Sequence, residues 1–208
     1  MTIHSKHMIL PATIIFFMMS VCTAFSFSFS GTIINEGNTA KTMIVLKTAE
    51  YLKGKMISTT DEKLKAIANS VYEESQKYAI DYRLILAVMK VESNFKNEAI
   101  SRKGARGLLQ IKPSLAKYII KDTGMEVEEV TSLSLHEPDK NIKIGVNYLS
   151  KLIDMFENLT SALHAYNVGP SKVKKVGSLS TAPSTGFTRK VMNEYQQIIE
   201  VLPDPEKE

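Results

Sequence analysis

The sequence predicts a mainly α-helical domain over residues 58–202. Apolar residues recur there at intervals of three and four, which is the spacing of one face of a helix. Capping residues, proline and glycine mark the ends of successive segments, whereas the apolar-polar alternation that is typical of strands is nearly absent. The 208-residue chain is 44% hydrophobic and 23% charged, which suits an ordinary globular protein with a sizeable core.

The first residues of the chain predict export. A basic start precedes an uncharged stretch from Met8 to Asn35, and the small residue Ala24 suits cleavage, so residues 1–24 are expected to be a signal peptide. The uncharged stretch is also long enough to span a bilayer, so an uncleaved N-terminal anchor stays open. Lipid attachment at Cys22, the only cysteine, is less favoured because a valine precedes it. In each case we expect the domain to lie in the periplasm or cell envelope.

The predicted elements follow from capping and turn signals. Residues 25–57 are expected to form a linker and a short helix from Met43 to Met56, which Gly54 interrupts. Within the domain, helices are predicted from the cap residues Ser58–Asp61 to about Lys77, from the cap Asp81 through Glu92, from Pro113 to about Ile120, from Pro138 through Ile153, from Thr160 to Gly169–Pro170, and from about Thr188 to Val201. A loop is predicted at Gly104–Gly107 and a frayed tail over residues 203–208.

Glu92 is the most informative residue of the helix that Asp81 caps. Residues 84–89 are all apolar, which predicts that this helix is buried nearly all round. Its polar residues share one narrow edge, but Glu92 projects from nearly the opposite side. Burial there would raise the pKa of its carboxyl and keep it protonated near neutral pH, which is the state that a general acid needs. The alternative is that Glu92 lies in the last turn of a helix that has already emerged, and is solvated.

Four short segments, in order along the chain, carry a resemblance to a known family. They are Glu92-Ser93-Asn94-Phe95, then Gly104 to Pro113 with Gly107-Leu108-Leu109-Gln110 at its centre, then Asn141-Ile142 with Gly145 and Tyr148-Leu149, then Ala165-Tyr166-Asn167-Val168-Gly169-Pro170. This arrangement resembles the bacterial lytic transglycosylases of the soluble SLT type, which share a lysozyme-like fold with goose-type lysozymes. The resemblance covers residues 61–200 and implies one catalytic domain of lysozyme-like fold.

The resemblance also implies an activity, that of a peptidoglycan lytic transglycosylase. In that family a single acid/base, which Glu92 matches here, protonates the glycosidic oxygen between N-acetylmuramic acid and N-acetylglucosamine. It then deprotonates the sugar's own 6-hydroxyl, so the product is a 1,6-anhydromuramoyl end and no water is consumed. A second carboxylate is unnecessary, unlike in most glycosidases. We expect the downstream acids to be solvated, because each lies beside a turn or cap signal; they are Glu98, Asp122, Glu137 and Asp139.

By the same resemblance, four further residues are expected to contact the substrate, and Asn141 is expected to brace the fold. The four are Ser93, Gln110, Tyr166 and Asn167. Alternatives stay open for three of them. The hydroxyl of Ser93 could bond its own helix backbone, Gln110 could be solvated in a structural loop, and Tyr166 could pack in the core with its hydroxyl satisfied.

One segment departs from the family's pattern. Phe187, within the stretch from Pro183 to Thr188, stands where the family commonly has a tyrosine, so a hydroxyl contact from that position is in doubt. The chain has no tryptophan, so sugar rings would have to stack on tyrosine or phenylalanine. The Ser/Thr/Gly/Pro-rich loop from Lys174 to Gly186 is predicted to be mobile.

Two other functions stay open beside the transglycosylase. A hydrolase of muramidase or chitinase type could use the same fold, with water in place of the 6-hydroxyl. A non-catalytic wall-binding component of a secretion or conjugation apparatus could use it as a scaffold. The expected partner is the peptidoglycan glycan strand, and contact with a membrane is expected only through the N-terminal segment. Neither a metal nor a cofactor is expected, and basic runs with interleaved aromatics that would indicate nucleic acid are missing.

Overall fold

The structure, a computed structural model, describes residues 38–56, 58–124, 131–156, 158–175 and 185–205. The predicted signal or anchor, the start of the predicted linker and most of the predicted mobile loop lie outside these ranges. The chain divides into two units after Thr42, and the fold described here is that of the second unit. None of the helices within the described ranges is long and apolar enough to cross a membrane.

The described residues form eight α-helices and one 3-10 turn, which confirms the predicted mainly α fold. In chain order these are α1 (38–53), α2 (Asp61–Tyr78), α3 (Tyr82–Ser93), α4 (Pro113–Thr123), the 3-10 turn (Ser134–His136), α5 (Pro138–Met155), α6 (Leu159–Val168), α7 (Pro170–Lys175) and α8 (Gly186–Val201). Between α3 and α4, two isolated antiparallel bridges join Arg106 to Ile100 and to Ile111. The helices therefore make up the core, and the bridges only tie one loop together.

Most helix boundaries follow from local capping, as predicted. Thr60, Asp81 and Asn158 each occupy an N-cap and accept a hydrogen bond from a backbone N–H in the first turn. Pro113 and Pro138 open α4 and α5, where the missing N–H of proline costs no helical hydrogen bond. These signals act over a few residues, so the sequence is sufficient to locate them.

Helix α7 was not predicted. The sequence indicated that Gly169–Pro170 ends a helix, and α6 does end at Val168, but α7 begins at once with Pro170. Gly169 has a φ of +93°, which turns the chain, and Pro170 then occupies a first-turn position that proline tolerates. The same pair of residues thus ends one helix and starts the next.

Helix α1 lies before residue 58, the predicted start of the domain. The second unit begins at Met43, and Ile44, Leu52 and Met56 are buried in the same core as the later helices. Residues 44 and 52 are eight apart, so they lie on one face of α1, and that face packs into the domain. The short helix is therefore part of the domain, because its apolar face is covered there.

Helix α3 is the buried centre of the fold and is fixed at its N-terminal end. It packs against α8 and α2, and residues 82–89 are all buried. The buried guanidinium of Arg83 lies 2.7 Å from the carboxylate of its cap Asp81, which also accepts a 2.8 Å hydrogen bond from the hydroxyl of Tyr195 in α8. A charged residue is tolerated at this depth because it is paired. The pairing holds the start of the helix that carries Glu92.

The C-terminal tail differs from the prediction of fraying at residue 203. The hydroxyl of Tyr82, at the start of α3, donates a 2.7 Å hydrogen bond to the carbonyl of Pro203. Asp204 lies 3.9 Å from the guanidinium of Arg83. These tertiary contacts hold the two residues, whereas residues 206–208 lie outside the described part of the chain.

A single buried amide, that of Asn141 in α5, braces the loop between α3 and α4. Its Oδ1 accepts a 2.8 Å hydrogen bond from the N–H of Leu109, and its Nδ2 donates to the carbonyls of Arg106 at 2.9 Å and Leu135 at 2.8 Å. Gly107 passes directly over this amide with a φ of +75°, and a Cβ there would overlap Asn141 Nδ2 and Leu135 O. The close approach of loop and helix therefore requires glycine at position 107.

We expect Gly107→Ala to destabilise the fold by about 3 kcal/mol, because the new methyl group adds overlap with buried backbone and amide atoms to the strain of a positive φ. The matched control is Gly104→Ala, since Gly104 has a φ of +76° but no atom within 4 Å of an added Cβ. That control should lose only about 1 kcal/mol. Urea unfolding of both variants measures the difference, and equal losses would contradict the bracing described above.

Candidate active site

An open cleft of about 490 Å³ lies at the C-terminal end of α3. Its walls come from the end of α3, the loop over residues 101–112, and single faces of α4, α5, α6 and α7. The cleft brings together Glu92, Gln110, Tyr166 and Asn167, which are four of the five predicted site residues. These residues come from three of the four motif segments, and the remaining segment contributes Tyr148 to the cleft.

Glu92 lies in the last turn of α3 and is half-buried. Burial raises the pKa of its carboxyl from the ordinary 4.5 to about 7. Within the described ranges no hydrogen bond or ion pair reaches this carboxylate, and much of the nearby cleft wall is apolar, including Ile111, Leu115 and Val168. The carboxyl of Glu92 is therefore desolvated, which is the first of the two predicted interpretations. It holds its proton up to neutral pH.

Glu92 is the only acid among the described residues that line the cleft. The four downstream acids lie elsewhere, as expected. Glu98 has an exposed side chain that lines a different cavity. The others are substantially exposed and each pairs with a lysine; they are Asp122, Glu137 and Asp139. Any chemistry in this cleft that needs a carboxyl group therefore falls to Glu92.

Tyr166 uses its hydroxyl to hold the cleft wall. The buried Oη donates a 2.9 Å hydrogen bond to the carbonyl of Leu109, on the loop that Asn141 also braces. Burial, and next to it the charge of Glu92, raises the pKa of Tyr166 well above 10, so the hydroxyl stays protonated as a donor. Tyr166 thus matches the alternative in which it packs in the core with its hydroxyl satisfied. It also lines the cleft.

Tyr148 is a cleft residue to which the sequence analysis gave no role. It is half-buried on α5, and its ring centroid lies 5.4 Å from that of Tyr166 in a tilted arrangement. No hydrogen bond of its hydroxyl is seen in the part of the chain that the structure describes. The available signal was spacing, since Asn141, Gly145 and Tyr148 are four and three apart and so share one face of α5.

Only part of the hydrogen-bonding capacity of the Gln110 side chain is available to a ligand. Its Nε2 donates to the carbonyls of Ala99 at 3.1 Å and Gly107 at 2.9 Å, so both amide protons are used within the loop. The backbone of Gln110 has a φ of +50°, which completes the turn. Its Oε1 makes no hydrogen bond to any described residue and remains as the acceptor for a ligand.

The two remaining predicted contacts behave differently. Ser93 is buried, does not line the cleft, and donates a 3.0 Å hydrogen bond to the carbonyl of Met89 one turn earlier. This is the backbone-bonding alternative, and it places the hydroxyl of Ser93 away from the site. Asn167 is exposed in the last turn of α6 and lines the cleft, with no hydrogen bond to a described residue. Phe187 is half-buried against the core.

Known proteins share this sequence pattern. A family model described as the transglycosylase SLT domain matches residues 69–185. The membrane-bound lytic murein transglycosylase C of Shigella sonnei is 35% identical over 127 residues, and the match covers 57% of this chain and 35% of the relative. The protein of the same name from Pectobacterium atrosepticum is 35% identical over 126 residues, and that match covers 56% of this chain and 35% of the relative. The chain thus spans about a third of the length of these relatives.

Solved structures share the fold. An inactive Glu-to-Gln mutant of the lytic transglycosylase Slt from Pseudomonas aeruginosa is similar with a TM-score of 0.56 and 25% identity, over 65% of this chain and 24% of that one. The 70 kDa soluble lytic transglycosylase of Escherichia coli gives a TM-score of 0.56 and 23% identity, over 62% of this chain and 23% of that one. The lysozyme-like fold implied by the resemblance is therefore confirmed. Because the family model matches more than half of the chain, the protein belongs to the transglycosylase SLT domain family.

Proposed function

We propose that the protein is a peptidoglycan lytic transglycosylase that uses Glu92 as its only acid/base. It cleaves the bond between N-acetylmuramic acid and N-acetylglucosamine and leaves a 1,6-anhydromuramoyl end. The observation that carries the proposal is the cleft itself, in which the one acid is a half-buried carboxyl with a pKa of about 7. The names of the relatives and the Glu-to-Gln inactivation of a structural neighbour support it.

In the first step Glu92 acts as a general acid. Its proton moves to the glycosidic oxygen, the bond from that oxygen to C1 of the muramic ring breaks, and the N-acetylglucosamine part leaves as an alcohol. A carboxyl that is still protonated near neutral pH suits this step, because an ordinary glutamate would have lost its proton.

In the second step the resulting carboxylate of Glu92 acts as a base. It takes the proton of the 6-hydroxyl while O6 of the same muramic ring bonds to C1. The proton that Glu92 lost is thereby restored, and no water enters the balance. A cleft with a single carboxyl group suits this sequence, since the nucleophile is supplied by the substrate.

The other cleft residues would position the glycan. The free Oε1 of Gln110 and the exposed amide of Asn167 are suited to acetamido and hydroxyl groups. The half-buried ring of Tyr148, which packs against Tyr166, offers the aromatic surface on which a sugar ring would stack. We place the activity in the cell envelope, on the support of the export signal predicted within residues 1–24 and of relatives named as membrane-bound.

Digestion of purified peptidoglycan tests the proposal. Mass spectrometry should find muropeptides that are one water lighter than hydrolysis products and that resist borohydride reduction at the muramic end. Glu92→Gln should lose about 10²- to 10⁴-fold in rate, because the amide cannot transfer the proton. Reducing muramic ends would instead establish a hydrolase on the same fold, and glycan binding without any cleavage would establish a non-catalytic wall-binding component.

We expect kcat/KM to fall as the pH rises through about 7, because the free enzyme must carry the proton on Glu92. The measurement is a pH profile on soluble glycan fragments, with circular dichroism at each pH as the control for folding. A rate that stays constant to about pH 9 would show that a group other than Glu92 donates the proton.

Burial of Glu92 also predicts a pH-dependent loss of stability. Between pH 4.5 and about 7 the folded protein keeps a proton on Glu92 that the unfolded chain releases, so stability falls as the pH rises through this window. Glu92→Gln removes the cost and should stabilise the protein at about pH 8 by on the order of 2–3 kcal/mol, but have little effect at about pH 4.

The matched control is Glu200→Gln, which changes an exposed carboxylate on α8 by the same atoms. Comparison with this variant at the two pH values separates the loss of a carboxylate in general from the loss of the buried carboxyl of Glu92. An equal effect of Glu92→Gln at both pH values, measured by urea unfolding, would contradict the raised pKa.

A further inference from the structure

The charge of the cleft is unbalanced. Three lysines line it, Lys103 from the loop, Lys112 just before α4 and Lys172 from α7, and Glu92 is the only acid beside them among the residues that the structure describes. Since Glu92 keeps its proton up to about neutral pH, it offsets little of this charge. The whole chain, by contrast, has 26 basic and 22 acidic residues, so a cleft with three cations and one largely neutral acid departs from the average.

Within the described segments of the chain, none of the three lysines has a pairing partner. All three are exposed, and no salt bridge or hydrogen bond joins their amines to the described residues. Other exposed lysines of the chain do pair, such as Lys53 with Asp61 at 2.9 Å and Lys143 with Asp139 at 2.8 Å. The ammonium groups at the cleft are therefore available to a ligand.

A second cavity of the protein has a smaller imbalance of charge than the cleft. That cavity has a volume of about 730 Å³ and lies between the start of α2, the residues after α3 and the start of α5. It also has three lysines in its wall, but Glu98 and Asp139 lie among them. These two acids offset part of the lysine charge, so the excess of positive charge is larger at the cleft than at this second cavity.

We propose that Lys103, Lys112 and Lys172 bind the carboxylates of peptide substituents on the glycan, so that the cleft prefers a peptide-bearing strand to a neutral one. The inference rests on the proposed function and names the form of its substrate. The stem peptides on muramic acid end in free carboxylates, which hang from the strand beside the sugar rings. Lysines on the rim of a cleft that holds the rings can reach such groups, whereas a chitin-type glycan has no charge for them to bind.

The expected size of the preference follows from the exposure of the lysines. An exposed ion pair contributes little by itself, and three together correspond to a preference of about tenfold in affinity. The preference should disappear in about 1 M salt, where screening acts over about 3 Å. Binding of the uncharged sugar rings should change much less.

The test measures binding to the full-length Glu92→Gln protein, in which turnover is slowed about 10²- to 10⁴-fold under the proposed function. Three ligands of equal chain length are compared by calorimetry. They are peptide-bearing glycan fragments, the same fragments with their carboxylates converted to amides, and neutral chitooligosaccharides. We expect the native fragments to bind about tenfold more tightly than the amidated ones. Adding Lys103→Gln, Lys112→Gln and Lys172→Gln should remove that difference and leave binding of chitooligosaccharides unchanged.

A matched control removes the same charge elsewhere. Lys65, Lys117 and Lys190 are exposed, lie outside the cleft and have no salt bridge to a described residue. Their replacement by Gln should keep the tenfold preference. Equal affinity for native and amidated fragments, or equal losses in the two triple variants, would overturn the inference. If the wild-type protein cleaves peptidoglycan to anhydro products but shows no preference, only this inference fails; if it cleaves nothing, the proposed function fails.

Discussion

The buried amide of Asn141 is the interaction on which the cleft depends. Its three hydrogen bonds join α5 to the backbone of the loop between α3 and α4 and to the 3-10 turn. A buried backbone group that loses its partner costs about 1–3 kcal/mol, so loop and helix are held at one separation. Tyr166 then donates to the carbonyl of Leu109 on the same loop, and Gln110 donates to that of Gly107. The wall opposite Glu92 is thus positioned by backbone contacts and leaves few polar groups for a ligand.

The other wall is set by the depth of α3. Its apolar residues bury the helix, and the group of Asp81, Arg83 and Tyr195 fixes its start, so its last turn has little freedom to expose Glu92 to water. That constraint has a cost, because an ionised carboxylate in this place destabilises the fold above neutral pH. The same burial gives Glu92 the pKa of a general acid. Stability and the proposed chemistry therefore oppose each other at one residue.

Sequence reasoning succeeded where the cause is local and was incomplete where the cause is tertiary. Caps such as Asp81 and the angular position of Glu92 on its helix depend on neighbours within a few residues. The place of α1 in the core depends on a distant partner surface, so its apolar face alone did not indicate the domain start. Which atoms of Gln110 are free depends on the path of the loop, since Ala99 accepts one of its amide protons. Motif spacing predicted residues that line one cleft, but their hydrogen bonds depend on how the helices and the loop pack.

The cleft is lined both by apolar residues and by lysines, and Glu92 lies among them. A cation near a carboxylate lowers its pKa, so three lysines could have left Glu92 ionised. Burial is the cause that sets the pKa of Glu92, at about 7, and no lysine lowers it. The physical reason is that the lysine amines are exposed, where water and salt screen their charge, whereas the carboxyl of Glu92 is largely removed from water. A protonated acid and a cationic surface can therefore occupy one cavity, the first suited to a glycosidic oxygen and the second to carboxylates beside the strand.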